Sequence, residues 1–326
     1  MSDRMNIAAS SPRPVAPATR LSIAELERRC QKPDHRRIGN WMARRVARPA
    51  ALRVTRVVLP LGVTAHQGTL LAWATALAAA LAFGWGTPLG WLAGAALLQL
   101  WYLLDHVDGQ LARFRGTASL DGTQLDYLMH HTVNLTIPAS LGYGLMAAGG
   151  ERHLLLAGFA WGAASLVLGL VHDARYKAFT QRLKRVRGEL VVRGGGGAHP
   201  QATMPPPRSP LRLAVYAARK SCEVHVVMNV LALLAVVQVA TADAALRCGT
   251  VYVAAMCLVS VTLAGAVVAR SVRREEAEHE FAAWYRAPEG ATLEWNDGWW
   301  TVCCEGTVAG AANDCCHGTA VGPGSS

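Results

Sequence analysis

The chain has 326 residues, 52% of them hydrophobic and 17% charged, with a formal net charge of +10. The apolar residues fall in long runs between short polar breaks. Each run is near the roughly 20 residues a helix needs to cross a bilayer, which argues against an ordinary soluble domain. The positive charge gathers in the breaks, so it reads as the cytoplasmic bias of membrane loops rather than as a nucleic-acid surface.

In chain order, residues 1–20 are rich in Ser, Pro and Ala and lack an apolar signal core; a disordered lead is expected. Residues 21–63 are basic. Ile38, Trp41, Met42, Val46, Leu52 and Val57 recur there near helical spacing between arginines, which predicts an amphipathic helix lying in the membrane interface. Six spanning runs follow within a helical domain over 64–274: about Thr69–Gly84, Leu89–Leu104, Leu125–Ala148, His153–Val171, Val224–Ala240 and Ala244–Ala269. Pro138 inside the third run predicts a kink. Lys and Arg lie mainly in the N-terminal segment, around Arg113–Arg115, in the Asp173–Lys220 loop and at Arg270–Arg274, which puts those breaks and both termini on the cytoplasmic side. Arg175 and Lys177 suit either an acceptor phosphate or the same charge bias. Residues 275–326 read as a cytoplasmic tail. Trp284, Trp295, Trp299 and Trp300 there either touch the interface or belong to a poorly ordered segment. Its Cys303-Cys304 and Cys315-Cys316-His317 fit the spacing of a zinc site poorly, so an unstructured or palmitoylatable tail is expected. The expected fold class is all-α: a polytopic membrane protein with six transmembrane helices and an N-terminal interfacial helix.

The chemistry concentrates between the second and third runs. Asp105 and Asp108 lie three apart at the polar end of one helix, so they share a face; Asp126 and His130 lie four apart at the start of the next. A short connection would bring these faces together at the cytoplasmic end of a hairpin. Clustered carboxylates resist full ionisation unless a cation neutralises them, and a hard divalent ion such as Mg²⁺ or Mn²⁺ can also bridge phosphate oxygens. Gly109 leaves room for a ligand, Ala112 is small, and Arg113 can pair with phosphate. Asp121 reads as a helix-start residue.

These residues resemble the CDP-alcohol phosphotransferase (CDP-alcohol phosphatidyltransferase) family, whose motif is D-x2-D-G-x2-A-R-x8-G-x3-D-x3-D. Asp105, Asp108, Gly109, Ala112, Arg113, Gly122 and Asp126 match in residue and spacing, seven of eight fixed positions over 26 residues. The resemblance covers roughly Ile38 to Arg274. It implies that Asp105, Asp108 and Asp126 hold two divalent ions, Mg²⁺ or Mn²⁺, on the diphosphate of a CDP-linked donor. Gly109, Ala112 and Arg113 would line the CDP pocket, and Gly122 would permit close helix approach. An alcohol acceptor would attack the β-phosphorus and release CMP. A homodimer in contact with membrane lipid and without nucleic acid is implied, in the cytoplasmic membrane if the source is bacterial, with the site facing the cytoplasm.

Two departures stand out. The family's last aspartate, its general base and a metal ligand, is His130 here. An imidazole can accept a proton near neutral pH and can ligate a metal, Mn²⁺ more readily than Mg²⁺. Ahead of the first run the family's T-P-N-x-x-T becomes Thr64-Ala-His66-Gln-Gly-Thr69, so no nucleotide contact is assigned to His66. The expected function is metal-dependent transfer of a phosphoryl-alcohol group, phosphatidyl among the possibilities, to an alcohol. The alternatives are an inactive membrane relative, a transporter or a scaffold. Whether the donor is CDP-diacylglycerol or a soluble CDP-alcohol stays open.

Overall fold

The computed structural model describes residues 22–32, 35–192 and 209–304; for 242–245 and 304 it describes the backbone alone. The predicted Cys315-Cys316-His317 pattern and the lead over 1–20 lie outside the described residues. The described residues divide into two compact units, one drawn from 1–167 and 201–264, the other from 168–200 and 265–326.

The first unit holds α1 (Ile23–Cys30), α2 (Arg48–Val58), α3 (Ala65–Gly84), α4 (Pro88–Arg115), α5 (Leu120–Ala147), the start of α6 (His153–Leu183), α7 (Pro210–Ser221), α8 (Val224–Ala240) and most of α9 (Ala242–Arg273). All six predicted runs fall in helices. The starts and stops follow from local chemistry. Thr64 Oγ1 accepts from Gln67 N (3.2 Å) while Gln67 Oε1 accepts from Thr64 N (2.9 Å), a capping box that opens α3. Thr87 caps α4, Pro88 fills its first turn, and Gly116 ends it in the left-handed region at φ 66°. Ser119 Oγ then accepts from Gly122 N (3.1 Å) and opens α5, with Asp121 in its first turn.

α3 packs along both α4 and α5. Its inner face is built from small residues, Ala72, Ala76, Ala79 and Ala80, all buried, which lets neighbouring backbones come close. Trp91, Trp101, Trp161 and Phe83 fill the same core. α5 and α6 meet through glycines: a Cβ on Gly142 would strike the backbone of Leu154 and Gly158, and one on Gly158 would strike the Pro138 carbonyl.

Three helical stretches are long and apolar enough to cross a membrane: Ala65–Gly84, His153–Leu183 and Leu246–Arg273. α7 and α8, bent by 72° at their junction, would together make a fourth. Leu70, Leu81, Leu156, Phe159, Leu233 and Leu258 are exposed large apolar side chains on these helices, as in a protein whose surface meets lipid. The chain thus has the character of an integral membrane protein. The predicted count of six is not met by this measure.

The single N-terminal amphipathic helix is corrected. The segment forms two helices, α1 and α2, with a turn, Gly39 at φ 99° and a π-helical stretch over Ala43–Ala47 between them. Leu26, Cys30, Ala51, Leu52 and Leu59 are buried with Val107 and Leu111 of α4, while Trp41, Val46 and Val57 of the predicted stripe stay exposed. Burial pushes the Cys30 thiol up to about 11, so it packs as a neutral group. Trp41 remains 64% exposed.

The second unit corrects the all-α expectation and the reading of the tail as unstructured. α10 (Glu276–Trp284) is followed by β3 (Tyr285–Arg286), β4 (Ala291–Asn296) and β5 (Trp299–Cys304), with β1 (Val186–Arg187) and β2 (Val191–Val192) contributed from earlier in the chain. β4 and β5 form a hairpin closed by Asp297 and Gly298, both at positive φ, the geometry a two-residue Asp-Gly turn favours. β1 adds in parallel beside β5, opposite Trp300 and Thr301, and β2 pairs with β3. Arg175 is committed to Glu276 (2.9 Å) and Glu280, and Arg182 to Glu278 while it stacks on Phe281 and Trp300. These pairs remove Arg175 as a free anion ligand.

Two outcomes test this packing. Gly158→Val should lower stability by about 1–3 kcal/mol through overpacking, read as thermal unfolding in detergent, whereas Gly265→Ala, with nothing within 4 Å, should not. Glu27 accepts from His35 Nε2 (2.8 Å) and from Arg36, and the His35 bond first, then Arg36, holds its carboxyl below the usual value of 4.5. Stabilisation by such a depressed carboxyl is complete above the unfolded value and is lost as pH falls through the folded one. Hydrogen exchange should find α1 less protected at pH 3 than at pH 7, and Glu27→Gln already weakened at pH 7 by about 0.5–1 kcal/mol.

Candidate active site

α4 and α5 present their polar ends to a cavity of about 540 Å³, and all eight predicted site residues line it: Asp105, Asp108, Gly109, Ala112, Arg113, Gly122, Asp126 and His130. Helical spacing accounts for this. Asp105, Asp108 and Ala112 fall on one face of α4, and Gly122, Asp126 and His130 lie at four-residue steps on α5.

Within the cavity, Asp105, Asp126 and His130 converge, each offering a ligand atom within 4.8 Å of the others. His130 Nε2 lies 3.0 Å from Asp105 Oδ1 and 3.4 Å from Asp126 Oδ1. The imidazole therefore sits between two carboxylates that would otherwise repel each other. Trp101, fully buried, meets the His130 ring edge-on at 5.7 Å and gives it an apolar floor.

Asp108 stands apart from this trio. It is 7% exposed, and its Oδ2 accepts from Thr69 Oγ1 at 2.6 Å while its Oδ1 takes the Gly109 N–H. Gly68 makes the Thr69 bond possible: a Cβ there would sit 3.1 Å from Asp108 Cβ, so only glycine lets α3 approach at this level without a shift. Thr69 keeps the place of the family's second threonine, and Thr64 serves as a helix cap.

Arg113 has two faces. Its Nε donates to the Cys30 carbonyl at the end of α1, and its Nη atoms are the nearest to a Cβ built on Gly109, at 3.1 and 3.4 Å. Gly122 is in turn close to His66, whose Nε2 would lie 3.6 Å from a Cβ there.

Several lining residues escaped the sequence reading. His66, to which no nucleotide contact was assigned, also lines the cavity. His106 is another: its Nδ1 donates to the Tyr102 carbonyl (2.8 Å) and lies 3.7 Å from Asp105. Lys32 and His35 also line the cavity, as does Arg48, which donates to the carbonyls of His35 and Ile38. Lys32, His35 and Arg48 arrive from outside the motif, so no spacing rule could reach them, whereas His106 fills a variable position within it, next to Asp105.

A family model described as CDP-alcohol phosphatidyltransferase matches residues 55–186. Comparison with curated proteins finds no match. Among solved structures, the chain is similar to the phosphatidylinositol phosphate synthase PgsA1 of Mycobacterium tuberculosis with CDP-DAG bound, at 20% identity and TM-score 0.44, over 74% of this chain and 95% of that one. The apo form of that protein matches at 23% identity and TM-score 0.41, over 64% and 91%. Residues 55–186, the part that matches this family model, contain the whole motif, with His130 at the position of the last motif aspartate.

Proposed function

We propose that this protein transfers a phosphoryl-alcohol group from a CDP-linked donor to an alcohol acceptor and releases CMP. The observation that carries the reading is the convergence of Asp105, Asp126 and His130 on a cavity that also holds the glycines, alanine and arginine of the motif.

The donor set fits a divalent ion. Two carboxylates and an imidazole supply hard oxygen ligands and one nitrogen, which suits Mn²⁺ at least as well as Mg²⁺. Asp105 and Asp126 would hold an ion directly, with Asp108 beside them for a second; His130 would complete the resting site as a third ligand and leave the ion when it acts as the base. Such an ion, when bound, draws charge from the diphosphate oxygens and makes CMP a better leaving group. The remaining steps belong to the protein. Gly109, Ala112 and Gly122 leave room for the nucleotide, and the Arg113 guanidinium faces that space beside Gly109. His130 takes the acceptor's hydroxyl proton as the new P–O bond forms and the bond to CMP breaks, leaving a phosphodiester.

We further read α4 and α5 as spanning, for six spans in all within 64–274. Each has 28 residues, about 42 Å at 1.5 Å per residue. That exceeds the roughly 30 Å of bilayer hydrocarbon and leaves two turns or more for the polar ends. Positive loop charge favours those ends, and both termini, on the cytoplasmic side, and the enzyme would act as a homodimer. The polar groups gather at one end of the helices rather than at mid-membrane, which favours an enzyme over a transporter.

The test is CMP release by the purified chain from CDP-diacylglycerol and from soluble CDP-alcohols, each with a panel of alcohols and with Mg²⁺ or Mn²⁺. Turnover with at least one pair is expected. His130→Ala should cut it by about 10²-fold or more while CDP binding persists. CDP binding without turnover of any pair would favour an inactive relative, and unchanged turnover in His130→Ala would remove the proposed base.

A further inference from the structure

Gln31, Lys32 and His35, beyond the end of α1, line the same cavity as the carboxylates, and Lys32 brings a cation to it. Lys32 lines the cavity, and its ammonium is within electrostatic reach of Asp105. Among the described residues no carboxylate lies within ion-pair distance of it. Its backbone, by contrast, is held on both sides. Arg113 Nε donates to the carbonyl of Cys30, two residues earlier, and His35 Nδ1 donates to the carbonyl of Lys32 itself (3.1 Å). His35 is fixed by Glu27 through Nε2 at 2.8 Å, and Arg36 grips the same carboxylate. A held backbone carrying an ammonium that has no ion-pair partner among the described residues, in the lining of an acidic cavity, presents a positive charge to whatever enters.

We propose that Lys32 is a substrate-binding residue that takes a phosphate oxygen. α1 and Arg113 set its position, so the motif arginine serves the site twice, beside Gly109 and as the anchor of Lys32. This rests on the reading of the cavity as a phosphotransfer site. The phosphate oxygen has two possible sources, the diphosphate of the nucleotide donor and an anionic group on the acceptor. An ammonium on a flexible stem suits either, since it binds as a point charge rather than as a planar fork.

The experiment uses the full chain in detergent with two probes: CDP, titrated with Mn²⁺ present, and inorganic phosphate, titrated into the CDP-loaded protein. Lys32 is exposed, so Lys32→Met should fold normally. Loss of one charge-assisted contact should weaken the affected probe by about tenfold or more, and Lys32→Arg should stay within about threefold of wild type. Weakened CDP binding assigns Lys32 to the donor diphosphate. Intact CDP binding with weakened phosphate binding assigns it to the acceptor. If Lys32→Met binds both probes as wild type does, the inference is overturned while the phosphotransfer reading stands. If the wild-type protein binds no CDP, that reading fails, and phosphate binding in the nucleotide-free protein still decides whether Lys32 holds an anion.

Discussion

Two carboxylates from neighbouring helices point at one another across an imidazole, and the rest of the first unit can be understood as what keeps them there. Asp105 and Asp126 gain nothing from proximity by themselves, since like charges at this distance raise the cost of ionisation. His130 between them, at 3.0 and 3.4 Å, offsets part of that cost, and a divalent cation would offset it more fully. A site that is electrostatically unfavourable when empty and favourable when filled is the arrangement expected where binding energy is kept for a charged ligand.

The supports of this arrangement come from three directions. α3 packs on both α4 and α5, and Gly68 and Thr69 bring it close enough to bond Asp108. Trp101 closes the floor below His130. α1, pinned through Arg113 and buried by Leu26 and Cys30 against Val107 and Leu111, supplies the wall on the other side. Part of this N-terminal segment has a structural role, since Leu26, Cys30, Ala51 and Leu52 find protein partners on α4, while Trp41, Val46 and Val57 stay exposed.

Much of the site was legible in the sequence because its determinants are local. Spacings of three and four place Asp105 with Asp108, and Asp126 with His130, without knowledge of the fold, and all eight motif positions do reach one cavity. The helices were legible from their apolar runs and from caps such as Thr87-Pro88 and Ser119. What escaped was set by contacts distant in sequence. The break between α1 and α2 depends on Gly39 at positive φ and on Arg48 reaching back to the carbonyls of His35 and Ile38. Lys32 and His106 carry no motif of their own. The hairpin at the end of the described chain did have a local signal, Asn296-Asp297-Gly298 between Trp-rich strands. The division of Asp108 from the Asp105–Asp126–His130 trio was also invisible, since the Thr69 bond that draws it aside comes from another helix.

The central claim is that Asp105, Asp126 and His130 together bind a divalent cation. Mn²⁺ binding to the purified chain, followed by electron paramagnetic resonance of the free ion, tests it without need of a substrate. The account predicts a saturable site in the wild type that weakens by about tenfold or more in Asp105→Asn, Asp126→Asn and His130→Ala alike. Retention of wild-type Mn²⁺ affinity in all three variants would contradict it.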